Sequence, residues 1–475
     1  MHSTFYVTAA IPYVNAKPHL GHVLEWFQAD TIARYQRLLG KDVAFTCGTD
    51  ENSLKNVRAA EKIGQPIQAW LDDYSQLYKD SFNNLNISLT HFGRGSDQVN
   101  HWPGVQTLWQ RCLEAGDIYQ KSYDGLYCVG CEAFYKPEEL VDGLCPEHLK
   151  PPERVTETNY FFRLSKYQHE INALLQTDTV AVLDRHFKNE MLGFVAQGLE
   201  DFSVSRSTER SRGIGVPVPN DPTQVMYVWF DALTIYLTAI GWGTDMAQFE
   251  KYWPADVHCI GKGIARFHAV YWIGMLLSAG LQLPKAISIH GYITVDGQKM
   301  SKSLGNVIDP HDLIKNFGLE PVRYYLLRAR PTHGDGDFSQ LKFRDVYTAE
   351  LANGLGNLCS RIAKLADMNS LPGIQPHAGF NSTFAQTMEV YDLASALDWV
   401  NQRISQLDAW LAANKPWSMP EAEQKQSVQI ALERVVDIVA HLRPFLPETA
   451  ALLLKHFSQP QVTTLLPLFP RLASK

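Results

Sequence analysis

Phe5-Tyr6-Val7-Thr8-Ala9-Ala10 and Val43-Ala44-Phe45-Thr46-Cys47 are two short β-prone runs, and Pro18-His19-Leu20-Gly21-His22 opens the stretch between them. Residues 23–39 carry apolar side chains at helical spacing and stop at Gly40, a residue suited to ending a helix. The result is a strand–helix–strand unit with Asp50 just beyond the second strand. Ligands of open parallel sheets bind at such carboxyl ends.

The pattern returns downstream. Residues 257–260 read as a strand, Gly261-Lys262-Gly263 as a turn, 264–278 as a helix and 286–290 as a strand. Between the halves, residues 116–225 differ in texture, with clustered cysteines, many aromatics and several prolines. This segment reads as an insertion that splits one α/β nucleotide-binding domain. From Tyr347 onward the chain turns helical. Val390, Leu393, Leu397, Val400, Ile404, Leu407 and Leu411 step by three and four, as do Val428, Ala431, Val435, Ile438 and Leu442. The expected boundaries are 1–115 and 226–345 for the two halves of the α/β domain, 116–225 for the insertion and 346–475 for the helical domain.

The 475 residues carry a formal charge of −7, which argues against binding nucleic acid through bulk positive charge. The most apolar run, residues 269–283, is too short to span a membrane. The N-terminus lacks the layout of a secretion signal. Seven cysteines, an odd number without such a signal, point to a reducing, cytoplasmic compartment.

His19 and His22, three residues apart at a helix start, can present N–H donors to phosphate oxygens beside the positive end of the helix. Gly21 between them removes a side chain where a nucleotide would meet backbone. Lys299-Met300-Ser301-Lys302-Ser303 follows Gly291 and Gly297 and precedes Gly305. Two lysines in a glycine-bounded loop suit a clamp on departing pyrophosphate. Taken singly, each motif is also compatible with structural histidines or a solvated loop. Cys128-x-x-Cys131, thirteen residues, then Cys145-x-x-His148 offers three thiolates and one imidazole. Such paired knuckles suit a closed, structural zinc site.

Together the histidine and lysine motifs resemble the paired signatures of class I aminoacyl-tRNA synthetases, and the closer resemblance is to the methionyl-tRNA synthetase family. Ala10-Ile11-Pro12-Tyr13-Val14-Asn15, Tyr227-Val228-Trp229-Phe230-Asp231-Ala232 and Phe267-His268-Ala269-Val270-Tyr271-Trp272 carry it. The resemblance runs in order over essentially the whole chain. It implies a class I Rossmann-like domain split by a zinc-containing connective insertion and followed by an all-α anticodon-binding bundle. The implied reaction joins methionine to ATP, with Mg²⁺ on the phosphates, and passes the aminoacyl group to tRNA(Met). By the same resemblance His19, His22, Lys299 and Lys302 are catalytic, and with Gly21 they bind ATP. Asp50 would hold the substrate ammonium. Ile11, Tyr13, Trp229, Ala232, Leu233, Tyr236, His268 and Trp272 would line the side-chain pocket. Asn357, Arg361 and Trp417 would read the anticodon. A monomer is the default expectation.

Three stretches depart from the family pattern. Glu51-Asn52-Ser53 stands for the usual Glu-His-Gly, Gly263 for an Asp that would reach the ribose, and Ser211-Arg212-Gly213-Ile214-Gly215 for a Trp-Gly-Ile-Pro run. A lost ribose hydrogen bond costs roughly 1–3 kcal/mol if the hydroxyls stay buried. These departures motivate one alternative, a paralogue that activates methionine for another acceptor; a second, a non-catalytic tRNA-binding protein, predicts damage to His19, His22 or Lys302, and all three are intact.

Overall fold

The computed structural model describes residues 3–130, 133–147, 149–295, 297–299, 308–328 and 335–472. The chain divides into two compact units. One comprises residues 1–18 with 42–289, the other 19–41 with 290–475.

The first unit is built on a six-stranded sheet. Its first three strands are β1 (Thr4–Ala9), β2 (Asp42–Thr49) and β3 (His91–Arg94). The spatial order is β3, β2, β1, Val257–Gly261, Ala286–His290, Ala181–Val182. β1 pairs in parallel with both β2 and Val257–Gly261. Both β1 and β2 are buried almost along their length, as parallel strands covered on two faces must be. Hence they read as continuous apolar runs rather than alternating ones. The expected strand at 286–290 forms with those bounds. One apolar cluster fills this unit and includes Tyr6, Phe230, Tyr236, Ile260, Trp272 and Ile289.

The expected helix over residues 264–278 forms in three pieces. A tight turn over Lys262–Ile264 leads to a wide π turn, Phe267–Tyr271, and then to an α-helix, Trp272–Ser278. Within residues 116–225 lies an antiparallel four-stranded sheet. Its longest pairing runs between Ile118–Cys128 and Glu153–Phe162.

The second unit holds helix α1 (Leu20–Leu38) and the carboxyl-terminal helices. Gly40 follows α1 with φ at 82°, the left-handed geometry that glycine adopts without strain. Arg323, fully enclosed, ties α1 to these helices. Its guanidinium meets Asp30 at 2.5 Å and donates to the Phe445 and Pro444 carbonyls at 2.8 and 3.0 Å. The two long apolar stripes lie on Leu393–Asn414 and Glu421–Leu442. Val390 does not belong to the first: it follows helix Ser382–Glu389 and is 60% exposed. Asp392 restarts the chain by capping the next helix through the Ser395 N–H. Helical spacing alone ran the stripe across that break.

Candidate active site

At the start of α1, in the second unit, the His19 Nδ1 accepts the Gly21 N–H at 3.0 Å, and the His22 Nδ1 accepts the His19 N–H at 3.2 Å. The two imidazoles stack with centroids 3.9 Å apart, and His22 stacks in turn on Trp26. A nitrogen that accepts an amide N–H carries no proton, so both neutral rings hold theirs on Nε2. Desolvation first, then His19 and His290, hold the His22 pKa well below its ordinary value. A Cβ on Gly21 would come 2.9 Å from the His19 Cε1, so glycine here makes room for the His19 ring itself. The backbone of Lys299 lies in the same unit, on a hairpin strand (Gln298–Lys299) opposite Thr294. Asp337 fixes that hairpin by accepting from the Gly297 N–H at 2.7 Å and the Thr294 hydroxyl at 2.8 Å. Lys302 lies outside the described residues.

In the first unit, the segment after β2 is held at several points. The Asp50 N–H donates to the Pro12 carbonyl at 2.8 Å, and Asp50 bridges in parallel to Tyr13. Asp50 is buried. Glu51 accepts from Arg94 and from the Thr49 hydroxyl, each at 2.8 Å. Ser53 caps α2 (Leu54–Ile63) by accepting the Lys55 N–H. Asn52 turns inward: its amide nitrogen donates to the Asp231 carboxylate at 2.6 Å and to the Gly95 carbonyl at 2.7 Å.

Aromatic residues gather close by in the same unit. The Trp229 indole stacks on Phe267 and meets Tyr13 and His268 edge-on. The His268 Nδ1–H donates to the Ile264 carbonyl at 3.0 Å, which leaves Nε2 to accept the Tyr236 hydroxyl at 2.8 Å. Burial pushes the His268 pKa down to about 4. Tyr236 and Trp272 touch edge-on, Ala232 and Leu233 are buried, and Ile11 and Tyr13 are half-buried. Among the described residues, the indole N–H groups of Trp229 and Trp272 are enclosed without a hydrogen-bond partner. His258, also enclosed, meets the Thr8 hydroxyl through Nδ1 at 2.6 Å, and its ring lies 4.7 Å from Tyr236.

Cys128 and Cys145 are buried in one small cluster with Tyr135, with Leu140 packed against it. Cys131 and His148 lie outside the described residues, and the described ones alone hold no group of three metal-ligating side chains. Two enclosed thiols converging from separate knuckles fit a soft cation such as Zn²⁺. In the helical region, Arg361 pairs with Asp408, and its guanidinium sits 5.9 Å from the Trp417 ring centroid. Trp417 is 48% exposed, and Asn357 is exposed one turn before Arg361.

Sequence reasoning passed over Phe267, His258, the role of Asn52, and His101, whose Nε2 meets the same Asp231 carboxylate. Phe267 stood within a quoted stretch, next to His268, and stacking on Trp229 was its missing signal. The other three act through partners far away in the chain.

The family described as "tRNA synthetases class I (M)" matches residues 5–151 and 148–363. The chain is 38% identical to the methionine–tRNA ligase of Thermotoga maritima, over 94% of this chain and 74% of that protein. It is 40% identical to the methionine–tRNA ligase of Nostoc sp., over 92% of this chain and 86% of the relative. For that of Rhizobium meliloti the identity is 39%, over 95% and 91%. Its structure is similar to Mycobacterium tuberculosis methionyl-tRNA synthetase in complex with methionyl-adenylate. The TM-score is 0.91 at 36% identity, covering 99% of this chain and 100% of that one.

Proposed function

This chain belongs to the methionine–tRNA ligases of class I, and from that membership we infer how its own residues carry out the reaction. A methionine carboxylate oxygen attacks the α-phosphorus of ATP, which enters as its magnesium complex. The bond to the β-phosphate oxygen breaks, giving methionyl-adenylate and pyrophosphate. The carboxylate is already ionised, so no general base is required, and the rate comes from positioning and charge stabilisation. A ribose hydroxyl at the 3′ end of tRNA(Met) then attacks the activated carbonyl and AMP leaves.

His19 and His22 donate Nε2–H to phosphate oxygens at the positive end of α1, with Gly21 leaving room, and Lys299 and Lys302 neutralise the departing pyrophosphate. Asp50 receives the substrate ammonium. Ile11, Tyr13, Trp229, Ala232, Leu233, Tyr236, His268 and Trp272 enclose the side chain. The two indole N–H groups suit a weak acceptor such as a thioether sulfur, and aromatic faces contact sulfur well. A neutral His268 adds no charge to the pocket, which disfavours acidic and basic side chains alike.

Cys128, Cys131, Cys145 and His148 would hold Zn²⁺, which supplies shape rather than chemistry. Asn357, Arg361 and Trp417 contact the anticodon, a face where one arginine and one exposed indole already stand together. We assign residues 116–225 as the connective insertion and 346–475 as the anticodon-binding domain. The odd cysteine count fits a reducing, cytoplasmic compartment, and a monomer is our reading of its assembly.

The observation that carries the assignment of the reacting groups is the tautomer lock at His19 and His22, which turns two imidazoles into neutral N–H donors. The test is methionine-dependent ATP–pyrophosphate exchange followed by charging of tRNA(Met). Both activities are expected, and both should fall at least about 100-fold in His19→Ala and His22→Ala. Exchange without charging would point to a different acceptor. Unchanged exchange in the two variants would overturn the assignment.

A further inference from the structure

Asn52 and His101 converge on one buried carboxylate. Asn52, Asp231 and His101 are 8%, 1% and 2% exposed. One Asp231 oxygen takes the Asn52 amide at 2.6 Å, and the other meets the His101 Nε2 at 2.5 Å. The far side of the His101 ring meets the Thr238 hydroxyl at 2.7 Å. The second hydrogen of the Asn52 amide goes to the Gly95 carbonyl, so both are used. Both partners are acceptors, which fixes which end of the amide faces them.

The placement of these groups gives the network its reach. Asn52 lies two residues beyond Asp50. Asp231 lies on helix Val228–Thr238, between Trp229 and Ala232, and Thr238 ends that helix. We propose that Asn52, Asp231 and His101 act as positioning residues that set the span between the ammonium ligand Asp50 and the side-chain pocket on this helix. They thereby determine how well methionine, rather than ATP, is bound. This rests on the roles given above to Asp50 and Trp229.

Methionine must reach both subsites at once, and the chain separates them by well over a hundred residues. Apolar packing alone tolerates sliding; buried hydrogen bonds do not. Glu51, held by Arg94 and Ser96, anchors the loop on its other side, so a lost Asn52 contact would let the loop pivot about that anchor. At position 52 a short amide reaches carboxylate and carbonyl together.

The test uses the purified full chain, with methionine and ATP varied separately in pyrophosphate exchange and a thermal melt run alongside. Asn52→Leu keeps the volume and removes both donors. The methionine KM should rise about 10-fold while the ATP KM stays within about twofold. Asn52→His, which restores an N–H donor, should recover most of that loss. A folded Asn52→Leu protein with unchanged methionine KM overturns the proposal, as does an equal rise in both KM values. If Asn52→Leu does not fold, Thr238→Val probes the other end of the network; a normal methionine KM there overturns it equally. Failure of the underlying reading looks different, because the unmodified chain itself would then show no methionine-dependent exchange.

Discussion

The indole of Trp229 lies flat on the ring of Phe267, with centroids 4.0 Å apart and planes 5° from parallel. Phe267 opens the wide π turn and lays its ring against Trp229, while His268 meets the same indole edge-on. Stacked aromatic pairs contribute about 0.5–1.5 kcal/mol beyond simple burial. Phe267→Leu should therefore let Trp229 tilt and raise the methionine KM about 3- to 10-fold, with ATP binding unaffected. Steady-state exchange kinetics check this, and an unchanged methionine KM would show that the stack does not shape the pocket.

A methyl group on Gly21 would collide with the His19 ring at 2.9 Å. Gly21→Ala should swing that ring off the helix end. The lost cap costs about 1 kcal/mol of stability. A displaced phosphate contact costs more, about 100-fold in kcat. Comparing exchange rates with urea unfolding separates the two, and a kcat loss no larger than the stability loss predicts would refute the account.

His268 links pH to stability. Burial lowers its folded pKa to about 4 from an ordinary 6.5, so between these values the unfolded chain binds more protons than the folded one. Stability is thus full above pH 6.5 and falls as pH drops towards 4, by about 2 kcal/mol at pH 5. His258, shifted the same way by burial, adds to the trend. Urea midpoints at pH 7 and pH 5 measure it. His268→Gln should flatten the dependence, and an unaltered pH slope in that variant would count against the buried, neutral imidazole.

Zinc analysis of the purified chain should give about one ion per molecule. Cys128→Ala should lose it, together with more than about 3 kcal/mol of stability in the inserted segment. Full zinc occupancy in Cys128→Ala would refute the ligand set.

Much of this was legible beforehand because it is local. β1, β2 and the strand at 286–290 announce themselves as short apolar runs beside turns, and His19 and His22 stand three apart in one motif. The π turn was not legible: a period of 3.6 carries no mark for a single widened turn, and here the His268 side chain spends a hydrogen bond on the Ile264 carbonyl. Nor was the partner of Asn52. Asp231 is 179 residues away, and no spacing rule reaches that far. Val390 shows the opposite failure, an apolar side chain in phase with a helix it never joins.

On the roles proposed above, each imidazole at the start of α1 is asymmetric in use, one edge committed to the architecture of the turn and the other to chemistry. Asparagine can imitate the first edge of such a ring and glutamine the second, but neither imitates both. Substituting the two amides in turn at residues 19 and 22 would uncouple the shape of this helix end from its reactivity, so that a folded but inert enzyme could be made by changing a single side chain.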